Sequence, residues 1–347
     1  MIITEPFNNL SSALLEAANL SVHEVVLVIG EEPKFDGLPS RRLPQKLLKS
    51  YALAISHVSL GRSIRKSKTS DATIVYGFST ELLWLTYFSS LFSAKNVYLL
   101  IHHNIQQAYR NPVAKLLLWF YQALGYKYIV NETSAVLADI GFDKDSTHKH
   151  ISLPHPVKHV YSDVLTVLPG TKESEKIKVG IIGRIRKGKR FHETLNILLK
   201  IQIRHDFTLV IGVDDTSVLS HLESDSVKLF DTSRQEDYFS VLSTCDVVVL
   251  NYEKLNYFYR CSGVVADAIG TETYVVCPNF PLIACQVSYP TKVGVLYDEE
   301  VDLETAIAEA LSLISSVRSE CFKSHYIERS PEKIASILDD VIGRNVD

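Results

Sequence analysis

The stretch Tyr259-Arg-Cys-Ser-Gly-Val-Val-Ala-Asp267-Ala-Ile-Gly-Thr-Glu-Thr-Tyr-Val-Val-Cys-Pro278 places a small Ser-Gly pair at the start of a helix, one carboxylate inside it, and a buried strand behind it. Such a turn is suited to a phosphate. The unpaired N–H groups and positive dipole end of a helix attract an anion, Ser262 can donate from its side chain, and Gly263 lets a ligand approach the backbone. Asp267 follows about one turn later, where its carboxylate can accept from sugar or ribose hydroxyls.

Outward from this stretch the same alternation of helix and apolar strand runs through the chain twice. In the second half, strands are predicted at Ile177–Ile182, Phe207–Val213, Val227–Phe230, Asp246–Leu250, Tyr274–Cys277 and Val293–Tyr297, with helices at Phe191–Ile203, Ser217–Leu222, Gln235–Ser243, Leu303–Ser316 and Pro331–Ile342. In the first half, strands are predicted at Met1–Thr4, His23–Ile29, Ala72–Tyr76, Asn96–Ile101 and Tyr126–Val130, with helices at Asn9–Asn19, Glu81–Phe92 and Pro112–Leu124. Short apolar runs separated by helices specify parallel sheets covered on both faces. Between the halves, residues 152–176 are rich in Pro and polar side chains and read as a linker. The expected architecture is α/β, with two Rossmann-like doubly wound domains facing one another across a cleft. One spans 1–160 and takes back the C-terminal helix 331–347; the other spans 161–330. Ligands of such sheets bind at the carboxyl ends of the strands.

A second cluster falls at one such end. The strand Lys-Val-Gly-Ile-Ile runs into Gly183-Arg184-Ile-Arg186-Lys187-Gly188-Lys189-Arg190. Five cations in one glycine-bearing loop repel one another unless an anion neutralises them, and a diphosphate would suit. The loop has neither the G-x-x-x-x-G-K-[ST] spacing of nucleoside triphosphatases nor the G-x-G-x-x-G of dehydrogenases, which argues against triphosphate hydrolysis and hydride transfer.

The bulk numbers agree with a large folded core: 347 residues, 46% hydrophobic and 22% charged. Five cysteines without a C-x-x-C pair, and an opening MIITEPFNNL without the marks of a leader, point to reduced thiols in the cytoplasm. The longest apolar run, Leu116 to Tyr126, is bounded by Lys115 and Lys127, is too short to span a bilayer, and reads as a buried or interfacial helix. A net charge of −4 conceals an uneven distribution: residues 1–165 carry 16 Lys and Arg against 13 Asp and Glu. Most of that excess lies in 41–68, where Arg41, Arg42, Lys46, Lys49, Arg62, Arg65, Lys66 and Lys68 are opposed by no acid. The segment fits equally a surface helix touching anionic lipid and a solvated face beside a core stripe. Mild overall acidity, and the lack of a recognised module in the basic segment, weigh against a nucleic-acid partner.

The strand–GRIRKGK–helix unit, the Tyr259-x7-Asp267 spacing with its embedded Ser-Gly, AIGTETYVVCPN and GVLYDEE together resemble the donor half of a GT-B glycosyltransferase of the retaining family-four type, over roughly 177–300. The resemblance implies that Arg184 and Lys189 hold a donor diphosphate, with Lys187 in place of Lys189 if the loop is shortened. The two glutamates of the family's E-x7-E fall on Tyr259 and Asp267. The second is conservatively changed and can still bind ribose; the first is not a carboxylate, and the usual contact to the donor sugar is altered. In the first half, the strand NVYLLI ends in His102-His103-Asn104, and His103 matches the family's His followed by Asp or Asn, with His102 its neighbour. From spacing alone, a histidine there serves equally to satisfy local backbone groups. His23 and His155 read as structural.

The activity implied is metal-independent transfer of a sugar from a nucleoside diphosphate sugar to an acceptor hydroxyl, with no cofactor. Arg184, Lys189 and the Ser262-Gly263 helix start would offset charge on the leaving diphosphate, while Asp267 orients the ribose. Domain closure would exclude water. The acceptor is expected against the first half, around Glu5–Asn9 and His103. The basic segment makes it a glycan on a lipid carrier at the inner face of a membrane, as in surface polysaccharide synthesis. Asp214-Asp215 is not assigned a metal. A nucleotide-sugar epimerase and a non-catalytic sugar-nucleotide-binding subunit of a transferase complex are the alternatives.

Overall fold

A computed structural model of the chain describes residues 9–29, 45–94, 96–143, 150–157, 176–186, 188–317 and 319–343. The predicted strand Met1–Thr4, the acceptor segment Glu5–Asn8, Arg41, Arg42, Lys187 and 158–175 of the predicted linker lie outside these residues, as do the side chains of Asn9, Lys46 and Lys49.

The chain divides into two units, Met1–Pro156 with Pro331–Asp347, and Val157–Ser330. The first runs α1 (Asn9–Leu20), β1 (Val25–Ile29), α2 (Gln45–Lys66), β2 (Ala72–Tyr76), a 3-10 turn (Thr80–Leu82) leading into α3 (Leu83–Ser89), β3 (Val97–Leu100), α4 (Asn104–Arg110), α5 (Pro112–Ala123), β4 (Lys127–Asn131), α6 (Val136–Asp139) and β5 (His150–Leu153). The second runs β6 (Ile177–Ile182), α7 (Phe191–Gln202), β7 (Phe207–Val213), β8 (Val227–Asp231), α8 (Gln235–Ser243), β9 (Val247–Val249), α9 (Lys254–Tyr257), α10 (Gly263–Gly270), β10 (Tyr274–Pro278), α11 (Pro281–Ser288), β11 (Gly294–Tyr297), α12 (Leu303–Leu313) and α13 (Ser319–Glu328). A last helix, α14 (Pro331–Gly343), returns to the first unit.

Among the described residues every strand pairing is parallel. The first sheet has the order β1-β2-β3-β4-β5 and the second the order β11-β10-β9-β6-β7-β8. The central strands are buried on both faces, which is why β2, β3 and β4 read as near-continuous apolar runs. In the second sheet the chain winds outward from β6 in one direction and then, from β9, in the other. The ends of β6 and β9 therefore diverge at the point where such sheets bind ligands.

Leu10 and Leu14 of α1, strand residues Leu27, Ile74, Tyr98 and Ile129, and Ile334, Leu338 and Ile342 of α14 share one core. The polar seam agrees: Ser21 and the Val22 amide both donate to Asp339 of α14. In the second unit Arg329 is 1% exposed. Its Nη2 donates to the carbonyls of Tyr289 (2.9 Å), Cys285 (3.4 Å) and Gln286 (3.4 Å) at the C-terminal end of α11, and its Nε donates to His325 Nδ1 at 3.3 Å.

His325 donates from Nε2 to Thr291 O at 2.7 Å, so the buried ring is held neutral. Burial pushes its pKa down to about 4 and Arg329 pushes the same way, against the Thr291 bond. The native pKa lies below the unfolded value, so protons bind preferentially to the unfolded chain as pH falls. This contribution to stability is complete above the unfolded pKa and is lost between about pH 6.5 and 4, amounting to about 3 kcal/mol. Urea melts of the protein and of His325→Gln across that window check it: the slope against pH is expected to fall by about one proton in the variant.

Three expectations are corrected. Ser152 and Leu153, placed in the linker, are strand residues: β5 pairs in parallel with β4 and Leu153 is buried. The helix predicted over Glu81–Phe92 starts as a 3-10 turn and ends at Ser89, because Leu91 and Phe92 adopt positive φ of 56° and 64° and reverse the chain. Ser217–Leu222 is a 3-10 helix. Helices α4, α6, α9 and α11 are not predicted from the sequence, their apolar periods being too brief to register, and neither is α13, whose ten residues SECFKSHYIE are mostly polar and carry no sustained apolar period. None of the five cysteines forms a disulfide.

Candidate functional site

Gly183 ends β6 at φ +117°, a conformation closed to most side chains, and its N–H donates to Gly212 O at 2.8 Å. The Lys189 ammonium lies over it: a Cβ at position 183 would come within 3.2 Å of Nζ. Burial pushes the Lys189 pKa below its ordinary value, and Arg186, Arg184 and Arg260 add to the shift against the opposing carboxylate of Asp214. Asp214, just past β7, stands 3.7 Å from Arg184 Nε. Arg190 departs from the expected cluster. It takes φ +40° at the start of α7 and pairs with Glu300.

Arg260 was not singled out from the sequence. Its guanidinium stacks over the Tyr257 ring at 4.9 Å, its Nε is buried without a hydrogen-bond partner, and burial lowers its pKa, with Arg186 contributing in the same direction. Tyr257 in turn stacks on Tyr252 at 4.3 Å. Asn251, two residues past β9, is 3% exposed, accepts from the Tyr297 hydroxyl at 3.1 Å and keeps a buried Nδ2 without a partner. It lines a pocket of about 20 Å³ together with Gly183, Arg184 and Lys189, at the point where β6 and β9 diverge. A buried unpaired donor costs roughly 1–3 kcal/mol, so the Asn251 amide leaves hydrogen-bonding capacity at the wall of this pocket.

Above it opens a cavity of about 340 Å³ lined by Gly183, Arg184, Arg186, Lys189, Thr232, Ser233, Gln235, Tyr238 and Val264. Three of these residues are cations and none is an acid. Val264 brings in the first turn of α10, whose cap is Ser262: the Ser262 Oγ accepts from Val265 N at 3.2 Å. The sequence reading had the Ser262 hydroxyl donating to a phosphate. It is instead 4% exposed, capping, and bonded to the Tyr252 hydroxyl at 2.9 Å, with its backbone held by Gln286. What the helix start presents to a ligand is backbone, and a Cβ at Gly263 would meet nothing within 4 Å.

Asp267 is not a lining residue of the cavity; it accepts from the Tyr238 hydroxyl at 3.1 Å, and Tyr238 forms the wall. Burial first, and the Asp267 carboxylate second, raise the Tyr238 pKa well above its ordinary value, so the phenol stays protonated. Tyr259 is 3% exposed, its ring edge-on to Phe258 at 4.7 Å, and it does not line the cavity either. Arg184, Lys189 and the start of α10 are thus brought together, while Tyr259 turns into the interior. Tyr238, from helix α8, and Asn251, from the loop after β9, are added to the lining, while Arg260 lines neither cavity and acts on Lys189 through its charge.

In the first unit, His103 is exposed at the start of α4, its ring 4.2 Å from that of His102. His102 Nδ1 faces Asn131 Nδ2 at 3.0 Å at the end of β4, and His155, read as structural, stands 6.2 Å from it by ring centroids. His155 is buried, with Nδ1 against Pro156 O at 3.1 Å. Among the described residues no group of three His, Cys, Asp or Glu is placed to hold a metal ion.

No protein-family model matches the sequence, and no curated protein matches it. Solved structures do. A glycosyltransferase from Rickettsia africae aligns over 97% of this chain and 94% of its own, at 12% identity and TM-score 0.60. The Escherichia coli trehalose-6-phosphate structure bound with UDP-2-fluoro glucose aligns over 98% and 97%, at 9% identity and TM-score 0.61. A sucrose-phosphate synthase from Thermosynechococcus elongatus aligns over 90% and 82%, at 16% identity and TM-score 0.57. At such identities the likeness is one of fold, and with two parallel sheets wrapped by helices the chain has the GT-B fold of these glycosyltransferases.

Proposed function

We propose that the protein is a glycosyltransferase that moves a sugar from a nucleoside diphosphate sugar to a hydroxyl of a lipid-linked glycan, in the assembly of a bacterial surface polysaccharide at the inner face of a membrane. The observation that carries the reading is the acid-free, three-cation cavity where β6 ends and α10 begins. Arg184 and Lys189 offset charge developing on the departing diphosphate, and the first-turn amides of α10 hold the same group. These groups do the work a divalent metal would otherwise do, so no metal or cofactor is required by the mechanism. The Tyr238 phenol, positioned by Asp267, meets the ribose. His103 serves the sugar or the acceptor from the first unit, and the anomeric configuration is retained. Arg62, Arg65, Lys66 and Lys68, exposed near the end of α2, are directed to anionic lipid. No helix among the described residues is long and apolar enough to cross a membrane.

One observation favours a second reading. Tyr259 fills the interior where the family resemblance implies a sugar-binding carboxylate, and no acid lines the cavity. A chain that binds a sugar nucleotide without turning it over would tolerate that change.

Thermal melts across nucleoside diphosphates and their sugars, followed by product analysis with lipid-linked acceptors, separate the two. A selective stabilisation with acceptor-dependent release of nucleoside diphosphate is expected. Stabilisation without turnover makes the protein a binding subunit, and an altered free sugar makes it an epimerase. No stabilisation by any nucleotide overturns the donor site.

A further inference from the structure

The exposed apolar side chains of the first unit concentrate on two neighbouring helices. On α5 the uncovered face consists of Val113 (60% exposed), Leu116 (62%), Trp119 (38%) and Phe120 (51%). On α3 and the turn behind it, Trp84 (45%), Phe88 (55%) and Phe92 (61%) are uncovered. Behind the two faces the helices meet through the core: Tyr121 of α5 donates from its hydroxyl to Thr80 O, in the turn before α3, at 3.1 Å. The buried Tyr121 ring lies 6.3 Å from the buried Tyr126 ring, which lies 6.1 Å from Tyr87, with Phe120 against Tyr121 at 5.7 Å and Phe92 against Tyr87 at 5.4 Å. Buried α5 positions Ala114, Leu118 and Tyr121 show that the helix already has a packed side, so the outward aromatics are surplus to the core. Patches of this kind on a chain's surface mark an interaction site.

Charge identifies the partner. Between Asp36 and Glu132 the sequence has twelve Lys and Arg and two acids, Asp71 and Glu81. Neither α3 nor α5 contains an acid. Lys115 sits over the Trp119 ring at 4.9 Å, at the margin of the apolar face. The exposed Arg62, Arg65 and Lys66 lie in the last two turns of α2. That helix is pressed against α3 so closely that a Cβ at Gly61 would come within 1.9 Å of Ser89 Oγ. Cations flanking an apolar aromatic face match a phospholipid surface, where headgroups take the charges and the rings enter the boundary with the acyl chains.

We infer that the α3–α5 face is a bilayer-docking surface for anionic phospholipid: Trp84, Phe88, Leu116, Trp119 and Phe120 enter the interface and the α2 cations bind headgroups. This deepens the reading of a lipid-linked acceptor, and its test uses no donor, so either can fail alone. Trp84 and Trp119 are the only two tryptophans in the chain, which makes native emission a direct report on this face.

Vesicles of phosphatidylcholine alone, and of phosphatidylcholine and phosphatidylglycerol in equal parts, each with and without brominated acyl chains, are mixed with the full chain. Flotation and bromine quenching of both tryptophans are expected with the anionic vesicles. Leu116→Asp and Phe120→Asp, at exposed positions and checked for an unchanged melt, are expected to lose both signals. Neutralising Arg62, Arg65 and Lys66 to Gln should weaken vesicle binding roughly a hundredfold. Absence of quenching, or binding unchanged in the two Asp variants, overturns the inference. So does self-association without lipid that Phe120→Asp abolishes in a protein that does not float, since the face then pairs a second copy.

Discussion

The double substitution Arg184→Ala/Lys189→Ala is expected to weaken nucleoside diphosphate binding by about 10²–10⁴-fold while leaving the unliganded melt unchanged or higher. Each residue offers charge-assisted hydrogen bonds to a diphosphate, worth about 1.5–3 kcal/mol apiece, which sets the range. The second half of the expectation follows from the cluster. Arg184, Arg186 and Arg260 all push the Lys189 pKa down, so the empty site holds like charges close together, and Asp214 relieves them only in part. Removing two of the four cations loosens that repulsion. A site shaped for a ligand at the expense of its resting stability gives this dissociation of affinity from fold. Arg190→Ala is the control: its guanidinium is paired with Glu300, so nucleotide affinity should be unaffected. Titration calorimetry and melts on the same preparations check both halves. A loss of affinity smaller than about tenfold, in a folded double variant, would remove the pair from the site.

Arg329→Ala is expected to cost the second unit about 3–5 kcal/mol. The fully buried side chain leaves a large cavity when truncated, and the carbonyls of Cys285, Gln286 and Tyr289 lose their donor together. His325 Nδ1 is left without the Nε donor as well. The carbonyls at the end of α11 carry the negative end of that helix, so a cation there does more than a neutral donor would. Arg329→Lys should recover only part of the loss, since one ammonium does not reach four acceptors in the plane that a guanidinium spans. Urea denaturation gives the magnitude, and amide exchange across α11 gives the place: its last turn should lose protection first. A loss below about 1 kcal/mol would mean that the neighbourhood collapses onto the gap.

How much of this was legible in the chain depends on how local the cause is. Strands β2, β6 and β7 were bounded to the residue, because short apolar runs of β-branched side chains end abruptly at polar or glycine residues there. Helix α8 was equally plain, bounded by Arg234 and Thr244. The loop cations Arg184 and Lys189 were marked by crowding, a property of adjacent residues. Tyr238 and Asn251 were not legible, because each reaches the lining from a helix or loop about 50–70 residues beyond Arg184 in sequence, brought there by sheet order; nor was Arg260, whose charge acts on Lys189 only through the fold. Ser262 shows the limit of a motif: a serine at a helix start caps its own helix and faces a phosphate with the same signature, and only Tyr252, ten residues upstream, decides that the hydroxyl is occupied. The run at Leu116–Tyr126 could be called buried or interfacial from sequence; its actual split, one face packed and one bare, is a tertiary fact.

The return of α14 to the first unit has a consequence for the order of synthesis. Ile334, Leu338 and Ile342 complete a core whose other members, from Leu10 to Leu153, have all left the ribosome long before. At ordinary elongation rates the wait between Pro156 and Pro331 is about 10–35 s, in which the earlier-made unit stands with an apolar groove open and the later-made unit is free to close around β6 and β9. The half that is translated first is thus the half that is finished last.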